Sequence, residues 1–326
     1  MASINSFPIL SICIPTYNRG ILLEQSIRKM IPLCQRNNIF ICISDNASQD
    51  DTESIIQALA DECNFLKYHR HPENIGPDNN FEYVLKMAET KYRWLMSDTC
   101  FVDELDSLME DLLLCDWDGY VLNGDPGRAI FLPQQRVVYE NSISVMEEIG
   151  WHLTWISCMI YNERLINCLN FERFKNSSFN QTALMFEPTA NRDCKICFNP
   201  NIIVKNLPVE KESNWLYHVF DVMYRQWYLL IMSLPLYYPY ETKRKCIIDA
   251  ANKPTLLTIR FHAMRRIEGK WNWKDILRNR FFIQQANGHC LCLLILGFCP
   301  GYIIKKFFLW GHYVKDFIRF WGVKLK

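Results

Sequence analysis

Over the first hundred residues, short apolar runs alternate with longer amphipathic stretches. Residues 9–14 (ILSICI) read as a strand buried on both faces, and residues 21–35 (ILLEQSIRKMIPLCQ) as a helix that Pro32 should end or kink. Residues 39–44 (IFICIS) predict a second strand. In DNASQDDTESIIQALADE a loop leads into a helix, with Ser48 or Asp50 as N-cap because Asp51 and Glu53 stand three residues further on. NFLKYHR predicts a third strand, NIGPDNNFEYVLKMAET a turn and a third helix, and YRWLMS a fourth strand. Beyond residue 118 the pattern loosens. Residues 118–123 and 155–161 look like strands, 128–139 suggests a hairpin, and 178–187 suggests a helix. Residues 195–204 read as a strand and 214–233 as a long helix rich in Trp, Tyr and Leu; no internal repeat is present.

Short apolar strands alternating with amphipathic helices predict an α/β fold, with a mostly parallel sheet flanked by helices on both sides. Ligands of such sheets bind beyond the C-terminal ends of the strands. A polar turn follows each of the first four strands: Thr16-Tyr17-Asn18, Asp45-Asn46, the turn holding Asn74 and Gly76, and Asp98-Thr99. Four polar loops are therefore expected on one rim, lining a cleft.

Size and composition narrow the class. A chain of 326 residues, nearly half of them apolar, fits one large domain or a domain with an appendage. Its fourteen cysteines are scattered through apolar segments, which suggests buried, reduced thiols of a cytosolic protein. Cys194 and Cys197 form a C-x-x-C without a second Cys or His pair at metal spacing, which argues against zinc. The first residues carry neither a basic n-region nor a long apolar run, so no signal peptide is expected.

The net charge of +1 hides an asymmetry. Residues 260–326 hold thirteen Lys or Arg against three Asp or Glu, a local balance of +10. Such a segment suits an anionic partner, either lipid or nucleic acid. Residues 290–299 (CLCLLILGFC) are apolar, but ten helical residues rise about 15 Å against the roughly 30 Å of a bilayer core, so a transmembrane span is not expected. In residues 303–321, Lys305, His312, Lys315, Asp316 and Arg319 fall on one face of a helix, and Ile303, Phe307, Trp310, Val314, Ile318 and Trp321 fall opposite. A helix lying in a membrane surface has that character, as does a terminal helix packed on a core with its charged face in water. The first predicts membrane contact through Lys305, Trp310, Lys315, Arg319 and Trp321. Nucleic acid is not expected as a partner, since no recognisable nucleic-acid-binding motif accompanies the basic residues.

Each polar turn also has a plain structural alternative. Asp45 can accept hydrogen bonds from a base or a ribose hydroxyl, or serve as an ordinary turn residue. Gly76 permits positive φ or close approach of a ligand, and the first turn of the helix at Pro77 favours anions. Asp98 can hold a divalent cation beside a diphosphate, or simply cap a turn.

Taken in order, these stretches resemble a known family. An apolar strand then P-T-Y-N-R, an apolar strand then S-D-N-A-S-x-D-x-T, then N-x-G-P, then a strand ending in Asp, resembles the family 2 glycosyltransferases of the GT-A fold. The resemblance covers roughly residues 9–100 and fades to about residue 205. WLMSD and ENIGPDNNF look most like the O-antigen sugar transferases of the abequosyltransferase type. It implies a GT-A domain over residues 1–205 and a helical, basic region over residues 206–326. It further implies that Pro15, Thr16, Tyr17 and Asn18 line a nucleotide site, that Asp45 faces the base beside Asn46, and that Asn74 and Gly76 shape the wall near the ribose and diphosphate. Asp98 takes the family's D-x-D position, binding the metal–diphosphate with Mg²⁺ or Mn²⁺.

Two departures stand out. Ser97, Asp98, Thr99 and Cys100 occupy a position where the family usually has two or three acids, which puts metal dependence in question. Counting back from Pro200 in KICFNP, the family's Glu-Asp pair falls on Gln181 and Thr182, neither of which is a base near neutral pH. Asp125, Glu187 and Asp193 are the substitutes near in sequence, and Asp125 is preferred as the catalytic base because it follows GYVLN. The expectation is a transferase of a hexosyl or deoxyhexosyl group from a nucleotide sugar to a lipid-linked glycan, peripheral at the cytosolic membrane face. The alternative is a fold that binds nucleotide or glycan but has lost its chemistry.

Overall fold

Strand β1 (Leu10–Thr16) is buried at every position, because it lies between two other strands. The computed structural model describes residues 7–124, 126–209, 214–253, 257–286 and 290–306. Around β1 run α1 (Gly20–Asn37), β2 (Phe40–Asp45), α2 (Thr52–Glu62), β3 (Leu66–Arg70), α3 (Pro77–Met87) and β4 (Tyr92–Leu95). The remaining strands are β5 (Cys100–Phe101), β6 (Gly119–Asn123), β7 (Val137–Tyr139), β8 (Met159–Asn162), β9 (Ile196–Ile203) and β10 (Lys205–Asn206). Eight of them form one sheet in the order β3-β2-β1-β4-β8-β6-β9-β7, while β5 and β10 pair apart.

The half that holds the site is parallel. β1 pairs with β2 and β4, and β2 with β3, all in parallel, so four strands end on the same edge. The chain steps outward from β1 in one direction and then returns to place β4 on its other side. The β1–β4 boundary is therefore a topological switch point, the place at which sheets of this kind bind ligands. Apolar side chains of β1, β2 and β4 pack with Leu23, Ile27 and Met30 of α1 and Ile56 and Leu59 of α2 into one buried cluster.

Several sequence expectations needed correction. The helix at 21–35 does not stop at Pro32: α1 continues to Asn37. Leu23, Ile27, Met30 and Cys34 are buried along it, and burial of such side chains at about 1.5–3 kcal/mol each outweighs a proline cost of about 3 kcal/mol. Residues 128–139 form no hairpin. A short helix, α5 (Pro126–Ala129), comes first, and β7 pairs antiparallel with β9, far along the chain. The α2 cap differs as well. Its N-cap is Asp51, while Asp50 accepts the Thr52 N–H at 3.2 Å and Ser48 serves the β1 loop instead.

Further helices are α4 (Asp106–Leu114), α6 (Ser142–Glu148), α7 (Glu163–Cys168) and α8 (Asn180–Phe186). The C-terminal ones are α9 (Trp227–Ser233), α10 (Tyr240–Asn252), α11 (Ile259–Ile267), α12 (Trp273–Ala286) and α13 (Cys290–Phe298). The stretch 214–233 is not one α-helix: a 3₁₀ turn at Asn214–His218 and a π-helix at Phe220–Gln226 precede α9. The π segment brings Phe220 and Tyr224 onto buried His262. Phe220 stacks on that ring at 4.8 Å, and the Tyr224 hydroxyl lies 3.1 Å from its Nε2.

The chain divides into two compact units. One comprises residues 1–212 and 229–246 and contains the sheet; the other comprises residues 213–228 and 247–326 and is helical where described. Among the described residues no helix is long and apolar enough to cross a membrane.

Candidate active site

The turn after β1 is held by the turn after β2. The Asn18 N–H donates to Ser48 Oγ at 2.8 Å, and the Gln49 N–H donates back to Asn18 Oδ1 at 2.7 Å. Asn18 has φ of 53° and Ala47 has φ of 60°, so both loops turn through the left-handed region. Gly20 lets the starts of α1 and α2 touch, since a Cβ there would meet Thr52 Cα at 2.8 Å.

The turn after β2 is in turn held to the one after β3. Asn46 Nδ2 donates to Asn74 Oδ1 at 3.0 Å, and the Ile75 N–H donates to Asn46 Oδ1 at 2.8 Å. Asn74 Oδ1 also accepts the Gly76 N–H at 2.9 Å. Gly76 then adopts φ 84° and ψ 160°, a region open to glycine alone, and delivers the chain into α3 at Pro77.

Across the switch point, the β1 and β4 turns join through Asp98. Thr16 Oγ1 donates to Asp98 Oδ2 at 3.1 Å, and Arg19 Nη1 forms an ion pair with Oδ1 at 3.2 Å. Burial raises the Asp98 pKa, although the Arg19 charge and hydrogen bonds from Thr16, Arg19 and Ser97 pull it down. Asp98 is thus a buried carboxylate in contact with one guanidinium and the Thr16 and Ser97 hydroxyls, and Thr99 Oγ1 lies 3.3 Å from Ser97 Oγ.

These contacts bring Thr16, Asn18, Asp45, Asn46, Asn74, Gly76 and Asp98 into one linked set of loops. Tyr17, Asn18 and Asn74 are exposed on it, while Pro15 and Thr16 are buried at the strand end. Asp45 is fully buried. Its carboxylate accepts the Ser48 N–H and the Tyr68 hydroxyl, both at 2.9 Å, and lies 3.8 Å from Arg70 Nε. The partly exposed Arg70 lies closer to Glu53, at 3.3 Å. Burial, and then the Asp45 hydrogen bond, raise the Tyr68 pKa well above that of a free phenol.

Sequence reasoning missed Asp78. It sits in the first turn of α3, and its carbonyl accepts Asn180 Nδ2 at 3.0 Å. Burial raises its pKa, against the backbone N–H groups of Ser178, Asn176 and Ser177, which lower it. Asn176 and Ser178 both have positive φ, at 62° and 60°. An Asp at N2 after Gly-Pro, facing a turn rich in Asn and Ser, was the available signal. Arg19 was likewise passed over, although it closes the P-T-Y-N-R motif.

The two positions at which the resemblance places an acidic pair are buried. Gln181 and Thr182 are buried in α8, where Thr182 Oγ1 donates to the Leu153 carbonyl at 2.8 Å. Glu187 pairs with Arg173, and Asp193 is exposed. Asp125 lies outside the described residues, as do Trp310, Lys315, Arg319 and Trp321; Lys305 is described and exposed. Just before Asp125, β6 breaks register with β9 between Leu122 and Asn123, and a Cβ at Gly124 would run into the Trp155 ring. Such bulges commonly re-aim side chains beside functional sites.

Among the described residues no three His, Cys, Asp or Glu side chains gather into a metal-holding set. One buried carboxylate with neighbouring hydroxyls fits a cation that draws most of its oxygens from a diphosphate and water, as Mg²⁺ commonly does. It does not fit an all-protein cage.

The chain has the GT-A fold, and residues 11–111 match the family model described as Glycosyl transferase family 2. It is 36% identical over 118 residues to the abequosyltransferase RfbV of Salmonella typhimurium, covering 33% of this chain and 35% of that one. It is 33% identical over 107 residues to the GalNAc(5)-diNAcBac-PP-undecaprenol β-1,3-glucosyltransferase of Campylobacter jejuni, covering 32% of each chain. The chain thus spans about a third of the length of the curated relatives it matches. Residues 1–349 of TarS from S. aureus superpose with a TM-score of 0.56 at 15% identity, over 87% of this chain and 83% of that one. The mannosyltransferase PcManGT of Pyrobaculum calidifontis, solved with GDP-Man and Mn²⁺, gives 0.56 at 13% identity over 90% and 86%.

Proposed function

We propose that this protein is a glycosyltransferase that moves a hexosyl or deoxyhexosyl group from a nucleotide sugar to a lipid-linked glycan. It would act in the assembly of a surface polysaccharide such as an O-antigen, peripherally at the cytosolic membrane face. The observation that carries this reading is the hydrogen-bonded set of loops after β1 to β4, joined at the switch point by Thr16 and Arg19 on Asp98. The relatives act on related chemistry: one is named for abequosyl transfer and one for a polyprenyl-diphosphate-linked glycan.

In this mechanism Pro15 to Asn18 line the nucleotide site, with Asp45 and Asn46 on the base side. Asn74 and Gly76 wall the ribose and diphosphate, beside the positive end of the α3 dipole. Asp98 would hold a Mg²⁺ or Mn²⁺ ion, which supplies positive charge to the diphosphate as it leaves. Arg19 adds a fixed cation at the same carboxylate. Asp125 would take the proton from the acceptor hydroxyl. The basic region 206–326 would hold the enzyme at an anionic membrane, with Lys305, Trp310, Lys315, Arg319 and Trp321 in contact.

One observation favours a second reading. Gln181 and Thr182, at the positions where the resemblance implies acids, are buried, which suits a GT-A protein that binds nucleotide or glycan without transfer. Incubation with labelled nucleotide sugars and membrane extract separates the two. Label moving into lipid, and lost by about 100-fold in Asp98→Ala, supports the transferase. Nucleotide binding without transfer across a broad donor panel supports the second reading.

A further inference from the structure

Helix α13 is apolar on the side that faces away from its own unit. Leu291, Ile295, Phe298 and Tyr302 are 70, 62, 64 and 65% exposed. At 100° per residue they share an arc of about 60°, continued past the end of α13. The opposite side holds Cys290, Leu293, Gly297 and Ile304, all buried. That buried side packs closely on α12, where a Cβ at Gly297 would lie 2.8 Å from Trp273 Cα; on the outward face Phe298 keeps one side against the Trp273 ring, at 5.3 Å. A helix that covers a soluble core carries polar residues on its outer face. This one does not, so its outward face meets something other than water.

The surrounding charge says what. From Ile276 to Lys315 the chain contains no Asp or Glu. Arg278 and Arg280 are exposed on α12, together with Leu277 and Phe281, and Lys305 and Lys306 are exposed just past α13. Glu268 and Asp275 lie near the start of α12, but from there to the end of the described chain the exposed charges are all cations, so the apolar strip and its neighbours complement a surface that is apolar inside and anionic outside. At nine residues, α13 spans about 14 Å as a helix, too short to cross a bilayer and suited to lying in its interface.

We propose that the Leu291–Ile295–Phe298–Tyr302 face of α13 seats in the interfacial layer of an anionic lipid membrane, with Lys305 and Lys306 on the lipid headgroups. This rests on the membrane-bound acceptor of the proposed function and names the surface that meets the lipid. The inserting side chains precede the stripe of residues 303–321 and meet it at Lys305.

The test is co-sedimentation of the full chain with phosphatidylcholine vesicles, with and without phosphatidylglycerol, comparing wild type with Leu291→Gln/Ile295→Gln and with Lys305→Glu/Lys306→Glu. Nucleotide-sugar binding by calorimetry reports that each variant is folded. The expected result is wild-type pelleting with the anionic vesicles. Partitioning falls at least tenfold in either variant, with nucleotide binding unchanged. Wild type that stays in the supernatant overturns the proposal, as does a Leu291→Gln/Ile295→Gln variant that pellets like wild type. A wild-type dimer without lipid, dissolved by the same double variant, would instead assign the strip to a second copy of the chain. A protein that pellets through α13 but transfers no sugar would sink the transferase reading alone.

Discussion

Asp98 is subject to opposing influences, and their balance is measurable. Burial disfavours its charge, while Arg19 and Thr16 favour it, and burial wins. Its folded pKa is therefore above its ordinary value. The stabilisation this gives is complete below that ordinary value and is lost as pH rises through the folded one. Near neutral pH the ionised Asp98 costs stability, so Asp98→Asn should unfold no earlier than wild type in a thermal melt while losing transfer. A variant that is both inactive and several degrees less stable would show that the Arg19 pair matters more than the burial. At Gly76 the defect should come from the backbone. A Cβ there has nothing within 4 Å, so Gly76→Ala meets strain and no clash. A cost of about 1–3 kcal/mol is expected, seen as a lower melting temperature and weaker nucleotide binding in calorimetry. The sequence made Asp98 and Gly76 visible because each closes a recognisable strand or turn. It left the packing of Asp45 against Tyr68 and Arg70 hidden, because β2–β3 register decides which side chains surround a carboxylate.

At the scale of elements, the β-α-β-α-β-α-β pattern up to β4 was legible, since burial on both faces leaves continuous apolar runs. What failed were places where tertiary packing overrides a local signal. Pro32 lies exposed within α1, which runs through it because the opposite face is buried. Pro32→Ala should therefore stabilise the protein by about 1–3 kcal/mol, read as a raised melting temperature. β7 was misread for a different reason: its partner β9 lies some sixty residues away, beyond any local pattern. Nothing in the local sequence marks His152 or His262 as core residues. Both are buried, with pKa values pushed down to about 3 by the loss of water. In the unfolded chain they take up protons near pH 6.5, so the stability they give is present above that pH and is lost as pH falls toward 3. Between pH 7 and 5 each should cost about 2 kcal/mol. Chemical denaturation at the two values checks this; a midpoint that does not move would contradict it.

For the whole molecule, one unit carries the GT-A sheet and its linked loops, and the other carries a basic surface with an apolar strip. The motif order made the first legible, while the charge asymmetry marked the composition of the C-terminal residues and not which of their side chains are exposed, nor that residues 229–246 group with the sheet. The acceptor side was not legible, because its base is not set by any residue spacing within the motifs. The central claim is that the loops after β1 to β4 form one nucleotide-sugar site, and calorimetric titration with a panel of nucleotide sugars tests it most directly. Wild type should bind one donor, and Asn46→Ala, which removes two loop-bridging hydrogen bonds, should weaken that binding at least tenfold, at about 1 kcal/mol or more per bond. Asp98→Ala should weaken it as well. A donor bound equally well by wild type and by both variants would place the nucleotide elsewhere and contradict the account.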